Sequence, residues 1–357
     1  MSTPPVTEPP NPPPAGATTA AASAGPGARE SSNPPPFGAS SPAPRPALRH
    51  FIKLARPHQW AKGAFVVVGP AYAFATGTPL GFASIIAVAG AVLAFGFAAS
   101  SCYVINDIRD RDADRLHPRK RHRPIASGAI PVPAATAFAG LLLLASALAC
   151  LLVLVGHWAG PDTATGPVGH PFWLAVAVVV YVINTNLYSL RFKHEVVLDV
   201  ISLAAGFVLR VLGGCAAAGV APSAWLLNVT FFVSMFLAFG KRLGERRTMG
   251  DSAAGARGVQ AAYTDDLLRM TVVVTGVATL VTYSGYVQSQ ATRYEHGFNV
   301  LWLTMLPATY GLLRCIVVLE RGLYDDPTEL AWRDRPFQIA IALFGIVTLG
   351  VMLWARG

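Results

Sequence analysis

Positions 106 to 114 read Asn106-Asp107-Ile108-Arg109-Asp110-Arg111-Asp112-Ala113-Asp114. On a helix turning about 100° per residue, Asn106, Asp110, Asp114 and Asp107 fall at roughly 0°, 40°, 80° and 100°. Four oxygen-bearing side chains then share one side, while Asp112 falls on the far side, where a neighbouring arginine is its expected partner. Clustered carboxylates repel, so as a purely structural device this arrangement costs stability. A hard divalent cation reverses the sign of that interaction. Mg²⁺ takes one or two carboxylates and fills its octahedron with water and phosphate oxygens. The plain alternative is a solvated face neutralised by Arg109, Arg111 and Arg115.

Basic residues follow at once: Arg115, Arg119, Lys120, Arg121 and Arg123. Such a run anchors anionic lipid headgroups, or, with guanidinium forks, clamps the phosphates of a substrate. A second polar cluster reads Asn184-Thr185-Asn186-Leu187-Tyr188-Ser189, with Lys193-His194 just after it. Downstream, Asp199, Ser202, Gly206 and Arg210 recur at helical spacing along one stripe. Ionisable groups inside an apolar helix usually line a cavity; the alternative is Arg210 paired structurally with a carboxylate elsewhere.

The elements that must position these groups are apolar. Of 357 residues, 53% are hydrophobic and only 13% charged, against roughly 25% charged in soluble domains. Spans are expected near 64–80, 84–104, 133–155, 171–188, 196–218, 223–240, 267–288, 298–319 and 337–354. Each approaches the 17–25 residues that carry a helix across about 30 Å of hydrocarbon. The expectation is an all-α polytopic membrane protein, with nine transmembrane helices around a polar cavity facing the cytoplasm. Of the 28 lysines and arginines, 23 fall in the N-terminal segment and alternate loops, which places those on the cytoplasmic side. The implied location is a plasma (inner) membrane, with a multi-pass chain and a cytoplasmic N-terminus.

Residues 1–47 hold half of the chain's 28 prolines among Ala, Ser, Gly and Thr. They read as a disordered tail ahead of a transmembrane domain over 48–357. The net charge of +9 does not point to nucleic acid, because the basic residues sit between apolar runs. Four cysteines without Cys-x-x-Cys spacing read as inert buried thiols, and the histidines show no metal-binding spacing.

The Asn106-Asp107-x-x-Asp110-x-x-x-Asp114 pattern at the end of a second span resembles the first aspartate-rich motif of the UbiA superfamily of intramembrane prenyltransferases. Further blocks are similar to its phosphoribosyl-transferring branch, the decaprenyl-phosphate phosphoribosyltransferases. They are Arg56-Pro57-His58-Gln59-Trp60-Ala61-Lys62, the run His117-Pro118-Arg119-Lys120-Arg121-x-Arg123-Pro124-Ile125-Ala126, and Tyr188 with Lys193-His194. Gly240-Lys241-Arg242-x-x-Glu245 and Arg333-Asp334-Arg335 complete the set. Two positions depart from the pattern. Gly63 stands where the branch usually has Asn, and Asp199 lacks the second aspartate of the Asp-x-x-x-Asp that prenyl-diphosphate enzymes carry.

The resemblance implies transfer of 5-phosphoribose from phosphoribosyl diphosphate to a polyprenyl phosphate, for arabinan-type envelope synthesis. It implies Mg²⁺ held by Asn106, Asp107, Asp110 and Asp114, with Asp107, Asp110, Asp114 and Lys193 as catalytic residues. The substrates fall to Arg56, Gln59, Lys62, Arg119, Lys120, Arg121, Tyr188, Asp199, Arg210, Lys241 and Arg242. The partners are those two substrates and the bilayer, and a homo-oligomer is compatible with such a fold. Prenyl transfer to an aromatic acceptor is the alternative enzyme, and it calls for a second Asp pair. An anionic-metabolite transporter calls instead for polar groups near the midplane in two related halves.

Overall fold

A computed structural model describes residues 48–118, 120–158, 170–249, 262–291, 298–323 and 330–354. The expected tail over 1–47 lies outside the described residues. Among them the chain is helical and forms no sheet. In order, α1 is Leu48–Ala55, α2 Ala64–Ala75, α3 Phe82–Arg109, α4 Arg111–Leu116, α5 Val132–Trp158 and α6 Phe172–Leu190. Then come α7 Leu198–Ala218, α8 Ala224–Met249, α9 Asp265–Ser289, α10 Met305–Glu320, α11 Leu330–Arg333 and α12 Arg335–Trp354. Short 3₁₀ turns cover Pro57–Gly63, Lys120–His122, Phe192–His194 and Val300–Thr304.

Eight of these elements are long and apolar enough to cross a membrane among the described residues. The ninth expected span, 64–80, is only the 12-residue α2, which at 1.5 Å per residue reaches about 18 Å. Thr76 caps it and Gly77 turns the chain with φ 97°, a conformation glycine adopts without a Cβ clash. The polar Arg56–Lys62 stretch ahead of it winds as a 3₁₀ turn over Pro57–Gly63.

The centre is α7. In its most apolar stretch 61% of the residues are buried, against 11% for the last span. Its Gly213-Gly214-Cys215-Ala216-Ala217-Ala218 run is what lets neighbours approach. A Cβ at Gly214 would stand 1.8 Å from the Val66 carbonyl oxygen, and one at Gly69 2.3 Å from Cys215 Sγ. Small residues at a crossing bring backbones close where lipid gives no hydrophobic drive between helices. Around this axis α3 packs along α5, α6 along α7, and α8 along α9. The outer rows stay exposed: Leu141, Leu144, Leu148, Leu151 and Val155 of α5 form one such stripe, as a lipid-facing surface requires. All four cysteines are buried and free.

Candidate active site

The segment before α2 is clipped onto α3 by polar contacts. Ser100 donates its hydroxyl to the Ala55 carbonyl at 2.7 Å, and Trp60 Nε1 donates to Ser100 Oγ at 3.0 Å. Trp60 lies over Gly96, where a Cβ would meet its ring at 3.0 Å, and packs edge-on to Phe97. Arg56, between α1 and the 3₁₀ turn, has φ 52°. A left-handed residue other than glycine costs about 1–2 kcal/mol. Here it is held by a clamp: Arg56 Nη2 donates to Asp107 Oδ1 at 2.6 Å and Oδ2 at 2.8 Å, and the guanidinium lies over Tyr103.

At the end of α3 the helical hydrogen bonding carries on through Asp110, whose N–H donates to Asn106 O, and Asp114 N–H donates to Asp110 O. That continuity keeps the four oxygen-bearing residues on one side. Asp112 stands apart, 80% exposed at its side chain and paired with Arg111 and Arg115, as the spacing suggested. The cations on the inner carboxylates are not the local arginines. Arg123 Nη1 donates to Asp107 Oδ1 at 3.1 Å and to Asp114 Oδ2 at 2.7 Å. The residues after it, Pro124, Ile125 and Ala126, are buried, with Ile125 packed among Leu54, Val104 and Ile130. This apolar plug sets Arg123 over the two aspartates. Asn106 Nδ2 donates to Asp110 Oδ2 at 2.9 Å, and Lys193 Nζ reaches Asp110 Oδ1 at 3.4 Å.

Beside this cluster is a cavity of about 200 Å³. Arg56, Lys62, Tyr103 and Asn106 line it from one side; Tyr181, Asn184, Thr185, Tyr188 and Ser189 of α6 and Ser202, Gly206 and Arg210 of α7 line the other. Cys102 also lines it. Helices α6 and α7 are locked by a reciprocal pair, Asn184 Nδ2 to Ser202 O at 2.8 Å and Ser202 Oγ to Asn184 Oδ1 at 2.9 Å. Asn186 ties α6 to α3, accepting from Arg109 Nη1 at 3.1 Å and donating to Cys102 Sγ at 3.7 Å. A second cavity, about 300 Å³ between α8, α9, α10 and α12, is lined by no carboxylate or cation.

Two residues expected at the substrates lie elsewhere. Asp199 is fully buried, 0% exposed, and does not line the cavity. Arg242 Nε donates to its Oδ2 at 2.9 Å, Nη2 bonds the same oxygen, and Tyr263 OH donates to Oδ1 at 2.7 Å. That trio fixes the entrance to α7: Tyr263 OH accepts from the N–H of Val197, whose φ is 69°. Burial and the bond to Asp199 push the Tyr263 hydroxyl up to about 12, so it remains a donor. Asp199 and Arg242, expected at the substrates, here pair with each other and with Tyr263, and neither lines the cavity. The Arg333-Asp334-Arg335 block is also structural in its aspartate. Asp334 pairs with Arg314 at 2.8 Å and accepts from the Phe337 N–H at 2.9 Å at the start of α12.

Of the other expected residues, Arg56, Lys62, Asn106, Tyr188 and Arg210 meet at the cavity. Asp107, Asp110, Asp114 and Lys193 form the adjoining charged cluster. Gln59, Lys120 and Lys241 are half-buried and Arg121 exposed, none lining the cavity. Arg119 lies outside the described residues. Arg123 stands out in the sequence only as a member of the basic run and of the resembling block around it, with no role of its own, and Tyr181 carries no signal, being a tyrosine in an apolar span.

The donor set is all oxygen, which suits a hard cation such as Mg²⁺. Asn106 Oδ1 has no hydrogen-bond partner among the described residues, one turn from the half-buried Asp110. Asp107 and Asp114 are engaged by guanidinium groups, and no three acidic, histidine or cysteine side chains converge on one point among the described residues. Asn106 and Asp110, whose carboxylate among the described residues meets only Asn106 and a long Lys193 contact and no guanidinium, fit direct ligation, with the other two aspartates as its charged frame.

Residues 64–321 match the UbiA prenyltransferase family. The decaprenyl-phosphate phosphoribosyltransferase of Mycolicibacterium smegmatis is 34% identical over 87% of this chain and 94% of its own. That of Corynebacterium glutamicum is 33% identical over 85% and 86%. Among solved structures, a UbiA homolog from Archaeoglobus fulgidus bound to GPP and Mg²⁺ covers 86% of this chain and 98% of its own, with a TM-score of 0.55 at 17% identity. The helical arrangement is thus shared, and by sequence and fold together the chain belongs to the UbiA prenyltransferase family.

Proposed function

We propose that this chain is a Mg²⁺-dependent transferase that moves 5-phosphoribose from phosphoribosyl diphosphate to a polyprenyl phosphate of decaprenyl type, releasing diphosphate. The observation that carries this reading is a small cavity lined by Arg56, Lys62 and Arg210 beside the Asn106–Asp114 cluster. It is supported by relatives named for that activity over most of their length.

The acceptor's phosphate oxygen attacks the anomeric carbon, the carbon–oxygen bond to diphosphate breaks with its electron pair, and the ribosyl centre inverts. No general base is needed, because a phosphate monoester is already anionic at neutral pH. Bound Mg²⁺ supplies Lewis-acid neutralisation of the departing diphosphate. Asn106 and Asp110 are its proposed ligands; Asp107 and Asp114, restrained by Arg56 and Arg123, keep the pocket edge negative and rigid. Lys193, next to Asp110, is placed to take phosphate charge, together with Lys62 and the Lys120–Arg121 run. Tyr188, Asn184 and Ser189 orient hydroxyls of the sugar. Fixing donor and acceptor in line lowers the entropic cost of bringing them together. The apolar tail stays in lipid, which is why such chemistry sits at the edge of a bundle. The proposed setting is the cytoplasmic face of the plasma membrane, where the product feeds arabinan-type envelope synthesis.

Purified protein given radiolabelled phosphoribosyl diphosphate and polyprenyl phosphate is expected to form a labelled lipid. Failure with both substrates present and Mg²⁺ added overturns the proposal. Prenyl transfer to an aromatic acceptor is disfavoured by Asp199, which is enclosed by Arg242 and Tyr263 instead of facing a diphosphate.

A further inference from the structure

Arg210 is the anomaly of the cavity. It is 5% exposed and lines the cavity wall. Its Nη1 donates to the Gly206 carbonyl at 3.0 Å and its Nη2 to Tyr181 OH at 2.8 Å, and it lies over the Tyr181 ring at 4.5 Å. All of these partners are neutral. Among the described residues no carboxylate pairs with it, and Asp199, the acid on the same face of α7, is taken by Arg242. A guanidinium cannot shed its proton and carries five N–H donors, so a buried one without a counter-ion is costly. Retaining it in a cavity wall makes sense if the counter-ion arrives with the ligand.

The depth of Arg210 identifies which anion. Asn186 bonds Cys102 Sγ and the guanidinium of Arg109, which sets it beside the last two turns of α3, the stretch that carries Asn106. Asn184, two residues below, is level with Ser202, and Gly206 lies one turn further along α7. At 1.5 Å per residue the Arg210 guanidinium, bonded to the Gly206 carbonyl, is about 9 Å deeper than Asn186 and deeper still than Asn106, a turn nearer the mouth than Cys102. A single phosphate group cannot serve both places. A pentose with a diphosphate at one end and a phosphate monoester at the other can.

Resting on the phosphoribosyl reading, we propose that Arg210, held by Tyr181, binds the 5-phosphate of the sugar donor and makes the cavity selective for a phosphorylated pentose. The diphosphate end is left to Asn106, Asp110 and the cations at the mouth. A prenyl diphosphate in the same place would lay hydrocarbon against an unpaired guanidinium.

The test uses the full chain in detergent and two unreactive probes, ribose 5-phosphate and ribose, measured by calorimetry at fixed ionic strength. Wild type is expected to bind ribose 5-phosphate at least 30-fold more tightly than ribose. Arg210→Gln brings the two within threefold, Arg210→Lys falls between, and Asn106→Ala leaves ribose 5-phosphate affinity within threefold of wild type. In turnover, Arg210→Gln raises the KM for phosphoribosyl diphosphate at least 30-fold with a smaller change in kcat. Should Arg210→Gln fail to fold, Tyr181→Phe removes only the supporting hydroxyl and is expected to weaken ribose 5-phosphate several-fold. Wild type without preference for ribose 5-phosphate, or variants at Arg210 and Tyr181 with unchanged affinity, overturns the inference even where the labelled lipid forms. Arg210-dependent binding without any turnover upholds the subsite and sinks the reaction instead.

Discussion

Arg56 and Asp107 are 51 positions apart, and one guanidinium nitrogen of the first bonds both carboxylate oxygens of the second, at 2.6 and 2.8 Å. Arg123 closes the other side of Asp107 and carries on to Asp114. Three distant pieces of chain thus meet on a carboxylate only 3% exposed. This is the joint that ties the segment before α2, the end of α3 and the basic loop into one edge of the cavity.

Removing the shared cation tests that joint. Arg123→Ala leaves Asp114, 3% exposed, without its ion-pair partner. Leaving a buried charge uncompensated costs roughly 3 kcal/mol. The melting temperature in detergent is expected to fall accordingly, and Asp114→Asn in the same chain to recover part of the loss.

Asp110 separates chemistry from stability. Its pair with Lys193 is long, at 3.4 Å, and about a third of each side chain is exposed, so the pair contributes less than about 1 kcal/mol. Asp110→Ala is expected to abolish labelled-lipid formation while thermal unfolding stays close to wild type. Chelation by EDTA is expected to stop wild-type turnover, and added Mg²⁺ to restore it.

The Asp199–Arg242–Tyr263 trio predicts the opposite pattern. Breaking a buried ion pair by removing one partner costs about 3–5 kcal/mol, whereas replacing both with apolar groups is far milder. Arg242→Met alone is therefore expected to destabilise strongly, and Asp199→Leu with Arg242→Met to destabilise much less. Donor KM in whatever folds is expected to stay near wild type; a large rise in KM would return both residues to the substrate site.

Asp334 gives a pH signature. The hydrogen bond from Arg314, with support from the Phe337 N–H, holds its carboxyl below the usual aspartate range. The unfolded chain therefore takes up a proton first as pH falls. The stabilisation is present above about pH 4 and is lost as pH drops through the lower folded value. Melting curves of wild type and Asp334→Asn are expected to differ by a constant amount near neutrality and to converge in acid.

At the crossing of α2 and α7, Gly214→Ala would set a methyl 1.8 Å from a backbone oxygen of Val66. Backbone cannot yield as a side chain does, so the helices must part. A loss of about 1–3 kcal/mol is expected, read by thermal unfolding, with Gly345→Ala, which has open space around its Cβ position, as the neutral comparison.

How much of this was legible depended on distance along the chain. Apolar run length found the spans because each helix satisfies its own backbone, and that property is local. At 64–80 it ran past Ala75, where the 12-residue α2 ends and Gly77 turns the chain. The grouping of Asn106, Asp107, Asp110 and Asp114 was local too, and so was the exclusion of Asp112. The stripe holding Asp199 and Arg210 was visible as a stripe, but the fates of its two ends were not.

The sequence by itself determined the membrane class, the helical architecture and the acidic helix end, since hydropathy and the 3.6-residue repeat act between near neighbours. Only the tertiary structure decided which charges neutralise which. Arg56 and Arg123 meet Asp107 across 51 and 16 residues, and Tyr263 meets Asp199 across 64. Those pairings are set by how whole helices pack around α7, and no spacing rule along the chain encodes them. The same packing gives one buried aspartate two partners and leaves Arg210 with neutral ones.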